Sequence, residues 1–105
     1  MDMGNLLQQA RQMHEKIGKI QEELAGKTLT GESGGGMVRV AVNGCRQVLS
    51  IEIEPALFAA SEKQMLEDLL VAAMNDGLRK AEDLSKREMA RLAGGMAIPG
   101  LGGLF

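Results

Sequence analysis

The chain has 105 residues, with 12 Lys and Arg against 14 Asp and Glu, a formal net charge of -2, no Trp or Tyr and only two Phe. This length fits one domain, which buries about two-thirds of its unfolded surface and leaves room for a partner to add more. The missing rings argue against a groove that stacks single-stranded bases, and the acidic balance requires any attraction to nucleic acid to be local. No run of 18 apolar residues suggests a membrane span, and the opening MDMGN lacks the basic and apolar parts of a secretory signal. The single cysteine, Cys45, permits no internal disulfide. Together these features predict a cytoplasmic protein without membrane contact.

A first helix is predicted over residues 5–25. Asn5 and Gln8 have capping-box spacing, and Leu6, Ala10, Met13, Ile17, Ile20 and Leu24 follow at alternating steps of four and three, with Gly26 as the stop. Such a stripe packs on one helical neighbour, and three heptads suit a coiled coil or ordinary core burial equally. Its cations Arg11, Lys16 and Lys19 alternate with Glu15, Glu22 and Glu23. His14 lies at the edge of the stripe and reads as a packed histidine rather than a ligand.

Residues 27–54 predict a three-stranded antiparallel meander of 27–32, 37–42 and 45–54. The glycine-rich stretch TGESGGG could suggest a phosphate loop, but no lysine follows it and Arg39 stands where a dinucleotide fingerprint needs its third glycine. An alternating strand follows, not a helix, so residues 33–36 read as a hairpin turn that needs positive φ. Asn43-Gly44 suggests a two-residue loop placing Val42 opposite Cys45 and Val38 opposite Leu49. Val38, Val40, Val42, Cys45, Leu49, Ile51 and Ile53 then share one apolar face, with Cys45 a small buried side chain rather than a nucleophile. The other face, with Arg39, Ala41, Arg46, Val48 and Glu52, is mixed, which suggests partial cover by a second subunit.

Pro55 ends the sheet. Ser61 and Gln64 have capping-box spacing for a long helix over 61–92 whose first half, MLEDLLVAAMND, is apolar on several sides and is expected in the core. Residues 93–105, AGGMAIPGLGGLF, read as a glycine-rich flexible tail. Charge changes sign along the long helix: residues 62–78 set Lys63 against four carboxylates, whereas 79–91 set five cations against three. At about 100° per residue, Arg79, Lys80, Lys86, Arg87 and Arg91 fall in an arc of roughly 140°, opposite Leu78, Ala81, Met89 and Leu92. That arrangement suits phosphate binding. It equally suits a solvated helix with internal pairs, because Glu82–Lys86 and Asp83–Arg87 stand at i,i+4. No nucleophile–base pair or Cys/His cluster appears, so no catalytic, metal or cofactor site is expected.

The strings GNLLQQARQMHEKIGKIQEELA, TGESGGGMVRVAVNG, IEIEPALF, MLEDLLVAAMNDGLRKAEDLSKREMARLAGGM and IPGL, in this order and spacing, resemble the YbaB/EbfC family of bacterial nucleoid-associated proteins over nearly the whole chain. The resemblance implies a single α+β domain, an α-β-β-β-α protomer, and a homodimer whose helices project like tweezers. It also implies a non-enzymatic binder of double-stranded DNA with limited sequence preference, located in the nucleoid and associated with recombination or repair partners. The family's contacts map here onto Arg11, Lys16 and Lys19 and onto Arg79, Lys80, Lys86, Arg87 and Arg91. The alternative function is a dimeric scaffold or adaptor with weak or no direct DNA binding.

Overall fold

A computed structural model describes residues 3–60 and 62–96. The order is helix α1 (Met3–Ala25), strands β1 (Thr28–Ser33), β2 (Val38–Asn43) and β3 (Val48–Ile53), a short helix α2 (Pro55–Ala60) and a long helix α3 (Lys63–Met96). The strands form one antiparallel sheet in the order β1-β2-β3. This is the expected α-β-β-β-α frame with α2 added, a helix that begins at the proline read as the end of the sheet. The expected cap at Ser61 and the tail from residue 97 onward lie outside the described residues, whereas Ala93–Met96 continue α3 rather than starting a tail.

The core forms between β2 and α3. Val38, Val40 and Val42 alternate onto one face and are fully buried, and the opposing helix offers Ala73, Gly77 and Ala81 at successive i,i+4 steps. These small residues let α3 settle directly onto the sheet. A Cβ built at Gly31 of β1 would stand 2.1 Å from the Ala73 carbonyl oxygen and 2.3 Å from the Gly77 nitrogen. Leu29, Leu66, Leu69, Leu70, Met74 and Leu78 pack around this centre, and Leu57 closes it from α2.

The turn between β1 and β2 requires left-handed backbone, with φ of 60°, 66° and 90° at Gly34, Gly35 and Gly36. The next hairpin departs from its expected register. Its loop holds three residues, Gly44 to Arg46, with Asn43 and Gln47 closing it and Arg46 at φ 64°. Leu49 is then skipped as a bulge between the pairs Ala41–Ser50 and Val42–Val48, so Val38 pairs with Ile53 and Val40 with Ile51. Cys45, expected buried opposite Val42, is instead exposed at the loop.

Burial is confined to one side of the sheet and to part of it. Helix α3 lies over β1 and β2, and the β3 residues Val48, Leu49 and Ile51 remain exposed. The first half of α3 is less enclosed than its composition suggested: Ala73 is buried, but Met65 and Val71 face solvent. The opposite sheet face is open and polar, with Thr30, Glu32, Arg39, Ser50 and Glu52 exposed. The outer edge of β1 is capped by α3, because Asp76 accepts the Glu32 N–H and Lys80 donates to the Thr30 carbonyl.

Candidate nucleic-acid interface

Beyond the sheet, α1 and α3 run side by side in opposite directions and form an arm. Leu24 is buried at its base, where its carbonyl accepts the Gly44 N–H at 2.8 Å, and Met13, Ile17 and Ile20 are half-buried along the α3 side. Farther out the stripe is bare, with Met3, Leu6 and Leu7 exposed. His14, expected packed, is exposed too. The arm makes the molecule elongated, 69 × 23 × 17 Å.

The eight cations expected at a site separate into two groups. Arg79 and Lys80 sit at sheet level and are held by Asp76, whose Oδ1 lies 2.8 Å from Arg79 Nη2 and whose Oδ2 lies 3.1 Å from Lys80 Nζ. The Glu32 N–H, the Lys80 ammonium and the Arg79 charge together hold the Asp76 carboxyl below the usual carboxylate value. Lys80 also reaches the Thr30 carbonyl at 2.9 Å, so its ammonium binds α3 to β1.

The second group occupies the arm. Lys86 pairs with Glu82 at 3.1 Å, and Arg91 shares Glu88 with Lys27 at 3.3 and 3.8 Å. Arg11, Lys16, Lys19 and Arg87 are exposed and have no carboxylate partner among the described residues. The expected Asp83–Arg87 pair does not form. Lys16, Lys19 and Arg91 line one open groove of about 280 Å³ with Ile20, Glu23, Glu88 and Leu92. The arm thus joins cations from both helices that are about 70 residues apart in sequence. Arg79 stands about 18 Å down α3 from Arg91, at 1.5 Å per residue, and does not join this groove. Sequence reasoning missed Asp76, whose partner in β1, Glu32, is 44 residues away, and it placed Arg46 on the mixed sheet face, whereas Arg46 lies in the β2–β3 loop.

Cations spaced along an exposed rod can neutralise a line of phosphates. Among the described residues no three His, Cys, Asp or Glu side chains are placed to hold a metal ion, and no helix is long and apolar enough to cross a membrane. Residues 1–96 match the model of the YbaB/EbfC DNA-binding family, and the chain belongs to that family. It is 56% identical over 101 residues to a nucleoid-associated protein of Desulfotalea psychrophila, covering 96% of this chain and 95% of that one. It is 47% identical over 97 residues to a nucleoid-associated protein of Syntrophobacter fumaroxidans, covering 92% and 88%. An uncharacterized protein of Helicobacter pylori has the same fold, with a TM-score of 0.77 at 28% identity over 93% of this chain and 99% of that one.

Proposed function

We propose that this protein is a homodimeric, nucleoid-associated binder of double-stranded DNA that holds phosphates through the cations of the α1–α3 arm and tolerates many sequences. The observation that carries the reading is the exposed set Arg11, Lys16, Lys19 and Arg87, which no carboxylate neutralises among the described residues. An acidic protein gains affinity for a polyanion only where such charges are free and gathered. Two helices side by side are wider than the duplex major groove, which admits one helix, so contact to backbone phosphates fits the arm better than reading of base edges. Lys80, bonded to the Thr30 carbonyl, helps position α3 on β1, and Arg79 is paired with Asp76 within α3.

The dimer is supported by large apolar side chains that one protomer leaves uncovered. Leu49 and Ile51 of β3, Phe58 of α2, and Met65 and Val71 of α3 are 42–65% exposed. A second copy that covered such side chains would remove apolar surface from water.

The test is a titration of two unrelated duplexes at 50 and 200 mM salt with wild type and with Lys19→Gln/Arg87→Gln. Wild type should bind both duplexes alike, with affinity falling steeply with salt. The variant should bind both more weakly, with the log–log slope reduced by about 0.9 for each phosphate that is no longer neutralised. Absence of wild-type binding at 50 mM would transfer the function to the scaffold reading.

A further inference from the structure

Arg46 is the one described non-glycine residue with positive φ, at 64°. It closes a turn whose geometry is fixed from every side. Asn43 is 3% exposed, and its Oδ1 accepts the N–H groups of Cys45 and Gln47 at 3.0 Å each, while its Nδ2 donates to Gln47 Oε1 at 2.7 Å. Gly44 is pressed against α1, where an added Cβ would stand 2.6 Å from the Leu24 carbonyl oxygen. A turn locked in this way demands a left-handed residue at its last position, and glycine is the residue that adopts it without strain. The chain carries arginine there.

The arginine side chain gives the fold nothing visible in return. It is exposed, and its guanidinium makes no hydrogen bond or ion pair among the described residues. A residue kept in a strained conformation by its surroundings, with an unneutralised charge directed to solvent, has the features of a binding position. The turn is docked on the last turn of α1, so Arg46 stands at the base of the arm that bears Arg11, Lys16 and Lys19.

We infer that Arg46 is a further phosphate contact, in which the locked β2–β3 turn presents a guanidinium to the backbone of the same duplex that the arm binds. The inference rests on the proposed DNA binding and extends the contact surface from the helices to the sheet. Arginine suits the role because its planar fork can give two N–H donors to one phosphate.

The test uses Arg46→Gly, which removes the charge and the strain together. Wild type, Arg46→Gly and Arg46→Lys are titrated with a duplex between 50 and 200 mM salt, and the Tm of each is measured. Arg46→Gly is expected to bind roughly tenfold more weakly at 50 mM, with the salt slope reduced by about 0.9 per phosphate, and to melt no lower than wild type. Arg46→Lys should recover the slope. Wild-type affinity and slope in Arg46→Gly would overturn the inference. So would a lower Tm with an unchanged slope, since that marks a structural cation favoured at the α1 C-terminus. Failure of wild type itself to bind at 50 mM would reject the DNA reading, and this inference with it, and is distinguishable because it does not depend on the variant.

Discussion

Gly31→Ala isolates the contact on which the position of α3 depends. The new methyl carbon would meet the Ala73 carbonyl oxygen at 2.1 Å and the Gly77 nitrogen and Cα at 2.3 and 2.7 Å, all of them backbone atoms. No rotamer change relieves such a contact, so α3 must rise from β1 by about an ångström to restore ordinary separations, and overpacking of this kind costs about 1–3 kcal/mol. Lifting the helix also loosens it over Val38, Val40 and Val42, so the upper end of that range is expected. Two control substitutions separate space from backbone conformation. Gly77→Ala meets its nearest atoms at 3.4 Å, and its helix propensity improves by up to about 1 kcal/mol, so it should be close to neutral. Gly35→Ala has open space but φ of 66°, and should cost about 1 kcal/mol from backbone conformation alone. Urea unfolding at one fixed protein concentration gives the three values, with the concentration held because dimerisation would otherwise shift them. Gly31→Ala within about 0.5 kcal/mol of wild type would refute the packing argument.

Two further outcomes follow from features of the same scaffold. Ile51→Asp, alone or with Val71→Asp, places charge among the uncovered apolar side chains and should convert a sedimenting dimer into a monomer at micromolar concentration; a variant that still sediments as a dimer would remove those side chains as the contact. Asp76 has a folded-state pKa below its ordinary 3.8, so its contribution to stability is present above that value and is lost as the pH falls through the lower folded one. The gap in stability between wild type and Asp76→Asn should therefore be steady at neutral pH and close in acid, and a gap that widened in acid would contradict the assigned partners.

The legible parts of the fold were those written in local periodicity. Alternating Val38, Val40 and Val42 marked the buried strand, steps of four and three marked α1, and the triple glycine marked a turn with positive φ. The β2–β3 register was not legible, because Asn43-Gly44 suits a two-residue loop and only the left-handed Arg46 and the bulged Leu49 reveal a longer one. The same local logic placed Cys45 inside when it is outside. The cations on one helix could be grouped by angle, but their separation into held and unpaired sets depends on Asp76, Glu82 and Glu88, and on how α1 and α3 meet. The pairs that these carboxylates make within α3 stand at i,i+3 or i,i+4 and follow helical spacing, whereas the Lys27–Glu88 pair and the bonds of Asp76 and Lys80 to β1 depend on tertiary packing, which that spacing does not report.

The glycine contact at the sheet also makes α3 a lever. Gly31 and Gly77 meet with no side chain between them, so the helix rests on bare backbone. From Gly77 to Met96 it extends about 28 Å at 1.5 Å per residue. A tilt of about 10° at that fulcrum would swing the far end by about 5 Å, the order of the spacing between neighbouring phosphates of one strand. Asp76 and Lys80, one residue before the pivot and three after it, hold the helix to the edge of β1 on both sides. The aim of the arm is therefore set where the lever is shortest, and an atomic displacement too small to disturb the core there would change which phosphate a distant cation meets.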